Sequence, residues 1–250
     1  MSEAWLNHHG QPVGRAVEGW RAPAEKPGGG VLAGRYCRLE PLSAERHGPS
    51  LWRAWQAPAI ATSQDGDARA RWTYLGGRPF DDPAGCQRWL ASQARRSDPA
   101  FMAVIDADSG QALGVASWLN LVPEQGTIEL GHLSFSAVLS RTRIATEALV
   151  MMASHAFALG YRRLEWKCDA LNAPSRRAAE RLGFTFEGVF RQHRVVAGRN
   201  RDTAWFSLLD HEWRRLEPVY RRWLSPDNFD DEGRQRTSLS TLIQSILLEA

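Results

Sequence analysis

The stretch DALNAPSRRAAERLGFTFEGVFRQ, residues 169–192, holds one short helix with both of its ends marked. Asn172 can cap it, because its side-chain oxygen accepts a first-turn amide that has no helical acceptor. Ala173 and Pro174 suit the first helical positions, where no backbone donor is needed. Ser175, Ala178, Ala179 and Leu182 share one face, and their small members let the helix lie close to a sheet. Arg176, Arg177, Glu180 and Arg181 face solvent, with Arg176 and Glu180 at ion-pair spacing. Gly183 ends the helix and Phe184 enters the core. Two features remain after this account. A hydroxyl, Ser175, stands on the buried face, and a carboxylate, Glu187, follows at once in the next strand pattern.

Upstream, YRRLEWKCDA alternates, with Leu164, Trp166 and Cys168 opposite Arg163, Glu165 and Lys167. Before it, RIATEALVMMASHAFALG is apolar on most faces and stops at Gly160, which predicts a helix sandwiched against a sheet. AFMAVID, ALGVASWLNL and TIELGHLSFSA are three strand patterns, joined by turns at 108–110 and 123–126. Downstream, FTFEGVFRQHRVV and DTAWFSLLD flank Gly198-Arg199-Asn200 as a hairpin. GRYCRLEPL is a further strand, and Ser43 caps the helix AERHGPSLWRAWQ, although Pro49 argues against one straight helix. The polar connection 58–82 is too long for a plain turn, a length more typical of functional loops. Asp82-Pro83 opens the helix PAGCQRWLASQARR. HEWRRLEPVYRRWL is amphipathic and expected to break near Pro218. Residues 226–236 read as a loose tail. SLSTLIQSILLEA then places Leu239, Leu242, Ile243, Ile246 and Leu247 on one face, which suits docking on the chain's own body or in a homodimer. The first 30 residues, rich in Gly and Pro, read as an arm. The succession predicts an α/β protein: a mixed sheet with helices on both faces.

The totals narrow the class. A chain of 250 residues, 43% hydrophobic and 24% charged, suits one soluble domain with extensions. No apolar run reaches the ~20 residues of a membrane span. The N-terminal residues lack a secretory pattern, so the cytoplasm is the expected compartment. Three scattered cysteines indicate neither a disulfide framework nor a metal site. All but Lys26 and Lys167 of the 31 basic residues are arginines. The densest basic run, Arg176 to Arg201, is broken by Glu180, Glu187 and Asp202, which disfavours nucleic acid as a partner.

Residues 128–213 resemble the acetyl-coenzyme A-dependent N-acetyltransferases of the GNAT superfamily. Within it they are most similar to the Rim-type branch, which acetylates ribosomal-protein N-termini. ELGHLSFS, SRTRIATEA, WKCDALNAPS, AERLGF and FEGVFRQ carry the likeness, and GRYCRLEPL and WTYLGGRPF add to it. The motifs span most of residues 33–215, which leaves 1–32 as an N-terminal arm and 216–250 as a C-terminal extension.

The resemblance implies a fold and a chemistry. Two parallel strands splay apart and the cofactor's pantetheine arm lies in the gap, bonded to backbone at 133–137, including Leu133, Phe135 and Ser136. The pyrophosphate sits on the following helix start, with Arg141, Thr142, Arg143, Ile144, Ala145 and Thr146. A helix N-terminus supplies free amides and about half a positive charge to such a group. Where the family loop carries Gln or Arg, Gly, and Gly or Ala, this chain has Ser140, Arg143 and Ala145. Arginine loses the close approach and positive φ that glycine allows. Either the loop accepts a helical conformation at Arg143, or coenzyme binding weakens and leaves a non-catalytic acyl-coenzyme A binding module.

For the enzyme, the resemblance implies direct acetyl transfer to a primary amine, either a protein N-terminus or a small molecule. The usual tyrosine acid is replaced by Ala179, and Ser175 looks like its substitute; Asn172 contacts the cofactor arm. Glu187 resembles the carboxylate proposed as base in the Rim-type branch, Glu129 is a second candidate, and His132 a third. The acceptor pocket is expected between the 58–82 loop, with Trp72 and Tyr74, and the hairpin from His193 to Asp202.

Overall fold

The computed structural model describes residues 5–57 and 68–248, with side chains as far as 246. β1 (Trp5–Leu6) and β2 (Pro12–Val13) form a small hairpin. Eight strands make the main sheet: β3 (Leu32–Ala33), β4 (Cys37–Pro41), β5 (Ala100–Asp106), β6 (Ala112–Val122), β7 (Thr127–Phe135), β8 (Arg163–Asp169), β9 (Thr185–Val196) and β10 (Arg199–Leu209). Their order is β3-β4-β5-β6-β7-β8-β10-β9, and only β7 and β8 run parallel. The helices are α1 (Ala44–Gln56), α2 (Pro83–Ala94), α3 (Arg143–Ala158), α4 (Ala173–Arg181), α5 (Asp210–Trp223) and α6 (Leu239–Leu248). This is the mixed α/β architecture that the sequence pattern predicts.

Period-two alternation divides the core between the two faces of the sheet. On β5, Met102 and Val104 join α3, α4 and α5, while Phe101, Ala103 and Ile105 join α1 and α2. Each fully buried Leu or Phe on these faces contributes about 1.5–3 kcal/mol of transfer free energy. That burial explains two departures from expectation. α1 continues through Pro49 because His47, Gly48, Leu51 and Trp55 are buried along it. α5 likewise continues through Pro218, with Trp213, Leu216, Val219, Tyr220 and Trp223 buried. Together those contacts outweigh the roughly 3 kcal/mol that an internal proline costs.

The ends of the chain are also more ordered than their composition suggests. Trp20 donates its indole N–H to the Gly160 carbonyl at 2.7 Å, and the amides of Ala24 and Glu25 bond to Pro123 and Leu159. Gly126 has φ +64°, and a Cβ there would meet the Trp20 ring at 2.7 Å, so only glycine fits beneath the strap. Residues 226–236 are not a loose tail. Phe229 is buried and bridges to Gln235, while the Asn228 side chain bonds to Trp223 and Thr237. On α6, Leu239, Leu242 and Ile243 join the same cluster as Leu182 and Leu216, so these residues cover the chain's own body. The Leu247 side chain lies outside the described residues. The β9–β10 turn is Ala197-Gly198, both at positive φ, and Arg199 and Asn200 already belong to β10.

One feature of the sheet creates the site. β7 and β8 pair only at Thr127↔Arg163, Ile128↔Leu164 and Glu129↔Glu165, although β7 runs on to Phe135 and β8 to Asp169. The strands part beyond Glu129. His132, at φ +50°, stands in an irregularity of the β6–β7 register that bends β7 at this point. Glu147 on α3 accepts the amides of Arg35, Tyr36 and Cys37 at 2.7–2.8 Å, which fixes the start of β4 against the helix.

Candidate active site

A cavity of about 2230 Å³ occupies the gap and is lined by the start of α3, the far half of β7, β8, α4 and the β9–β10 hairpin. At its α3 end, Thr142 caps the helix: its hydroxyl oxygen accepts the Ala145 amide at 3.2 Å and its O–H donates to Leu139. Arg143 is the first helical residue, and the left-handed backbone falls on Arg141, at φ +66°. The loop therefore accepts a helical Arg143, the first of the two outcomes expected of it. First-turn amides of α3 have no helical acceptor and carry the positive end of the helix dipole. The Arg143 guanidinium lies 4.3 Å from the Tyr36 ring centre and 5.4 Å from that of Phe229, two cation–π contacts in the corner between edge-packed rings. Arg181 lies over Trp223 at 5.0 Å and donates to the Thr146 hydroxyl at 3.2 Å.

Most of the residues expected to hold the cofactor arm line this cavity: Leu133, Phe135, Arg141 to Thr146, and Asn172. Asn172 also caps α4, accepting the Ser175 amide at 3.2 Å. Ser136 does not line it. That residue is fully buried in the turn after β7, where its hydroxyl accepts the Leu139 amide.

Where the strands part, Ser175 and Glu129 line the same cavity. The Trp166 indole donates to Ser175 Oγ at 3.0 Å, and the Ser175 hydroxyl also hydrogen-bonds the neighbouring Cys168 sulfur. Burial pushes the neighbouring Cys168 thiol up, so it stays protonated. Glu129 is 6% exposed and receives Asn120 Nδ2 at 2.6 Å and Lys167 Nζ at 3.0 Å. Burial raises its pKa, and the Lys167 ammonium opposes that rise without cancelling it. His132 also lines the cavity, with Nδ1 3.0 Å from the Ser117 hydroxyl; burial and then Arg96 lower its pKa, which favours the neutral ring.

Two expected site residues stand elsewhere. Glu187 does not reach the cavity. Arg163 grips it through both nitrogens at 2.8 and 2.6 Å, and the Ser207 hydroxyl adds a third donor. Arg163 holds its carboxyl below the usual range, which suits an ion-pair anion and not a proton acceptor. Trp72 is 2% exposed and packs edge-on against Trp55, Phe80 and Trp89 instead of facing a substrate. Tyr74 does line the cavity, and its hydroxyl donates to the Leu171 carbonyl at 3.1 Å, bridging to the turn before α4. His193 lines it as well, 2.9 Å from the Thr203 hydroxyl. Residues 58–67 of the expected wall lie outside the described residues.

The structure adds cavity residues that sequence reasoning missed: Lys167, Trp205, and from the C-terminal extension Trp223, Phe229 and Arg234. Lys167 had a signal, since it alternates with Trp166 and Cys168 on a strand in a chain with one other lysine. The extension had none, because its contacts are set by how residues 223–235 fold back on themselves.

The acetyltransferase (GNAT) domain family matches residues 39–185. The chain belongs to that family. A GCN5-related N-acetyltransferase from Brucella melitensis is 44% identical, with TM-score 0.84, covering 91% of this chain and 100% of that one. A probable acetyltransferase of the GNAT family from Chromobacterium violaceum ATCC 12472 is 43% identical, with TM-score 0.72, covering 82% and 98%. An acetyltransferase from Salmonella typhimurium, described as modifying the N-terminal serine of a 50S ribosomal-subunit protein, is 17% identical, with TM-score 0.59, covering 72% and 99%. That last likeness extends to the fold alone. No curated protein matches the chain. As a GNAT member, the chain carries an acetyltransferase fold, and among its described residues no helix is long and apolar enough to cross a membrane.

Proposed function

We propose that this protein transfers an acetyl group from acetyl-coenzyme A to a primary amine by direct attack in a ternary complex. The observation that carries this reading is the short β7–β8 pairing, which ends at Glu129↔Glu165 and opens a cavity lined by both Glu129 and Ser175. The residues present fit the donor. Beyond Glu129, the β7 edge facing β8 has no strand partner among the described residues, so backbone groups along it could bond an amide-bearing arm. The α3 amides with Arg141 and Arg143 would hold the pyrophosphate, and Asn172 would contact the arm.

When bound, acetyl-coenzyme A supplies the acetyl group as a thioester whose carbonyl carbon an uncharged amine attacks, with a thiolate departing. The roles of the protein residues follow from proton accounting. An ammonium has no lone pair, so Glu129 takes the proton that the amine loses; its raised pKa makes it a better acceptor than an ordinary carboxylate. Ser175 Oγ accepts from Trp166 and can turn its own proton toward the departing sulfur. Lys167 and Asn120 orient the Glu129 carboxylate. Cys168 stays a thiol, which disfavours a route through an acetylated cysteine.

Calorimetric titration of acetyl-coenzyme A, followed by thiol release with a panel of amines and N-terminal peptides, tests the proposal. Micromolar binding together with amine-dependent thiol release is expected. Ser175→Ala should bind the coenzyme normally and release thiol about tenfold more slowly. Binding without release for any amine, or release unaffected by both Ser175→Ala and Glu129→Gln, would sink the assignment.

A further inference from the structure

The acceptor end of the cavity holds a charge arrangement that the reaction does not explain. Arg194 on β9 and Arg201 on β10 are direct cross-strand partners, and both line the cavity. Like charges directly opposite each other in an antiparallel pair are destabilising. Among the described residues no carboxylate reaches either one. The acids nearby are already committed. Asp98 accepts the amides of Asn120 and Leu121, Asp169 that of Leu171, and Asp202 the Gln192 amide and the Asn200 side chain. Glu129 is taken by Lys167 and Asn120.

A second observation on the same strand points the same way. Arg201 Nε and Trp205 Nε1 are both buried donors without a hydrogen-bond partner. A buried donor left unsatisfied is destabilising, and each such group in a folded protein calls for an acceptor from somewhere. Two clustered cations and two orphaned N–H groups on one cavity wall are complementary to an anion with several acceptor oxygens.

We infer that the β9–β10 wall is an anion-recognition site for an acidic peptide acceptor, built from Arg194, Arg201 and the Trp205 indole. This rests on the acetyl-transfer reading and names the class of amine. Spacing selects a peptide over a free amino acid. Trp205 stacks on Lys167 at 3.9 Å, and Lys167 is the partner of Glu129, so Trp205 marks the transfer point. Arg201 is four residues further along β10, about 13 Å at roughly 3.3 Å per residue. An amine at Glu129 and a carboxylate at Arg201 are therefore about three or four extended residues apart. The carboxylate of a free amino acid, two bonds from its amine, cannot span that distance.

The test compares three amidated hexapeptides with free N-termini: Ala-Ala-Asp-Asp-Ala-Ala, its Asn-Asn counterpart and its Lys-Lys counterpart. Binding is read by calorimetry in the presence of coenzyme A, and turnover by thiol release. The acidic peptide should bind at least tenfold more tightly than the neutral one, with the gain in KM and eroded by salt. In the double variant Arg194→Gln, Arg201→Gln that preference should collapse to within twofold. The peptide comparison needs only the wild-type protein, so it stands even if the variant folds poorly. Equal binding and turnover of the acidic and neutral peptides would overturn the inference while leaving acetyl transfer intact. Arginine-dependent binding of the acidic peptide without turnover would uphold the anion site and remove the enzymatic reading. Acetylation of glutamate with no peptide bound would overturn the inference in favour of a small acidic amine.

Discussion

Glu129 and Glu187 stand at opposite ends of one chain of charges on one face of the sheet, and the chain treats them in opposite ways. Glu129 bonds Lys167, Lys167 bonds Glu165, Glu165 bonds Arg163, and Arg163 bonds Glu187. The inner carboxylate lines the cavity and is pushed up by burial; the outer one, whose side chain is 38% exposed, is pulled down by Arg163. Similar partners thus produce opposite shifts, because the desolvation of Glu129 outweighs what Lys167 returns. Proximity to charge does not make a base. A low-dielectric setting that leaves one partner short of full compensation does.

The sharpest way to break this comparison is to exchange each carboxylate for its amide. Glu129→Gln keeps the hydrogen bond acceptor and removes the proton acceptor. Turnover should fall about 10²–10⁴-fold, the usual contribution of a positioned base. Coenzyme affinity, measured by calorimetry, should stay within about threefold. A Glu129→Gln enzyme with wild-type turnover would move the proton to His132 or to water.

Lys167→Met acts on the link between the two ends. Removing the cation leaves Glu129 buried without its main counter-charge, so its carboxyl should rise further and hold its proton at neutral pH. Turnover at pH 7 should drop about tenfold and recover as pH is raised, which shifts the acid limb of the pH–rate profile upward. Stability should respond in the opposite sense. A carboxyl whose folded pKa lies above its unfolded value favours folding below that unfolded value and loses this contribution as pH rises through the folded one. Thermal melts of Lys167→Met should therefore weaken relative to wild type as pH rises above about 4.3, the ordinary glutamate value. A pH–rate profile unchanged from wild type would show that Lys167 does not set the charge of Glu129.

The contrast between these carboxylates also marks what could be read from sequence. The strands, the helix between β7 and β8, and the cap at Asn172 follow from alternation, 3.6-residue spacing and short polar signals, which are local. Ser175 on the buried face of α4 was visible for the same reason. Glu187 was misplaced because its role depends on Arg163, 24 positions away, reaching it across β10. Trp72 looked like a pocket aromatic because its loop is long and polar, yet three distant aromatic rings claim it. Arg143 looked like a defect in a glycine position until the fold supplied the rings of Tyr36, from β4's approach, and Phe229, from the C-terminal extension, for its guanidinium to lie against. In each of these cases the deciding partner comes from another part of the chain, and no local pattern encodes it.

Glu187→Gln gives the smallest expected effect, and that smallness is its use. Its carboxylate stands outside the cavity, so turnover should stay within about twofold of wild type. The lost ion pair with Arg163 is partly exposed and screened, which limits its contribution to about 0–1 kcal/mol at neutral pH. The pH dependence fixes the sign. Because the folded pKa of Glu187 lies below its unfolded value, its stabilisation is present above about 4.3 and is lost as pH falls through the folded pKa. Melting temperatures of wild type and Glu187→Gln should therefore differ slightly at pH 7 and converge in acid, whereas Lys167→Met should diverge from wild type as pH rises. A loss of turnover in Glu187→Gln as large as in Glu129→Gln, with the fold intact, would overturn the division of roles and make the outer carboxylate the base. The arrangement of charges argues against that result, since a proton taken up by Glu187 would have to displace a two-pronged guanidinium that the protein holds at 2.8 and 2.6 Å.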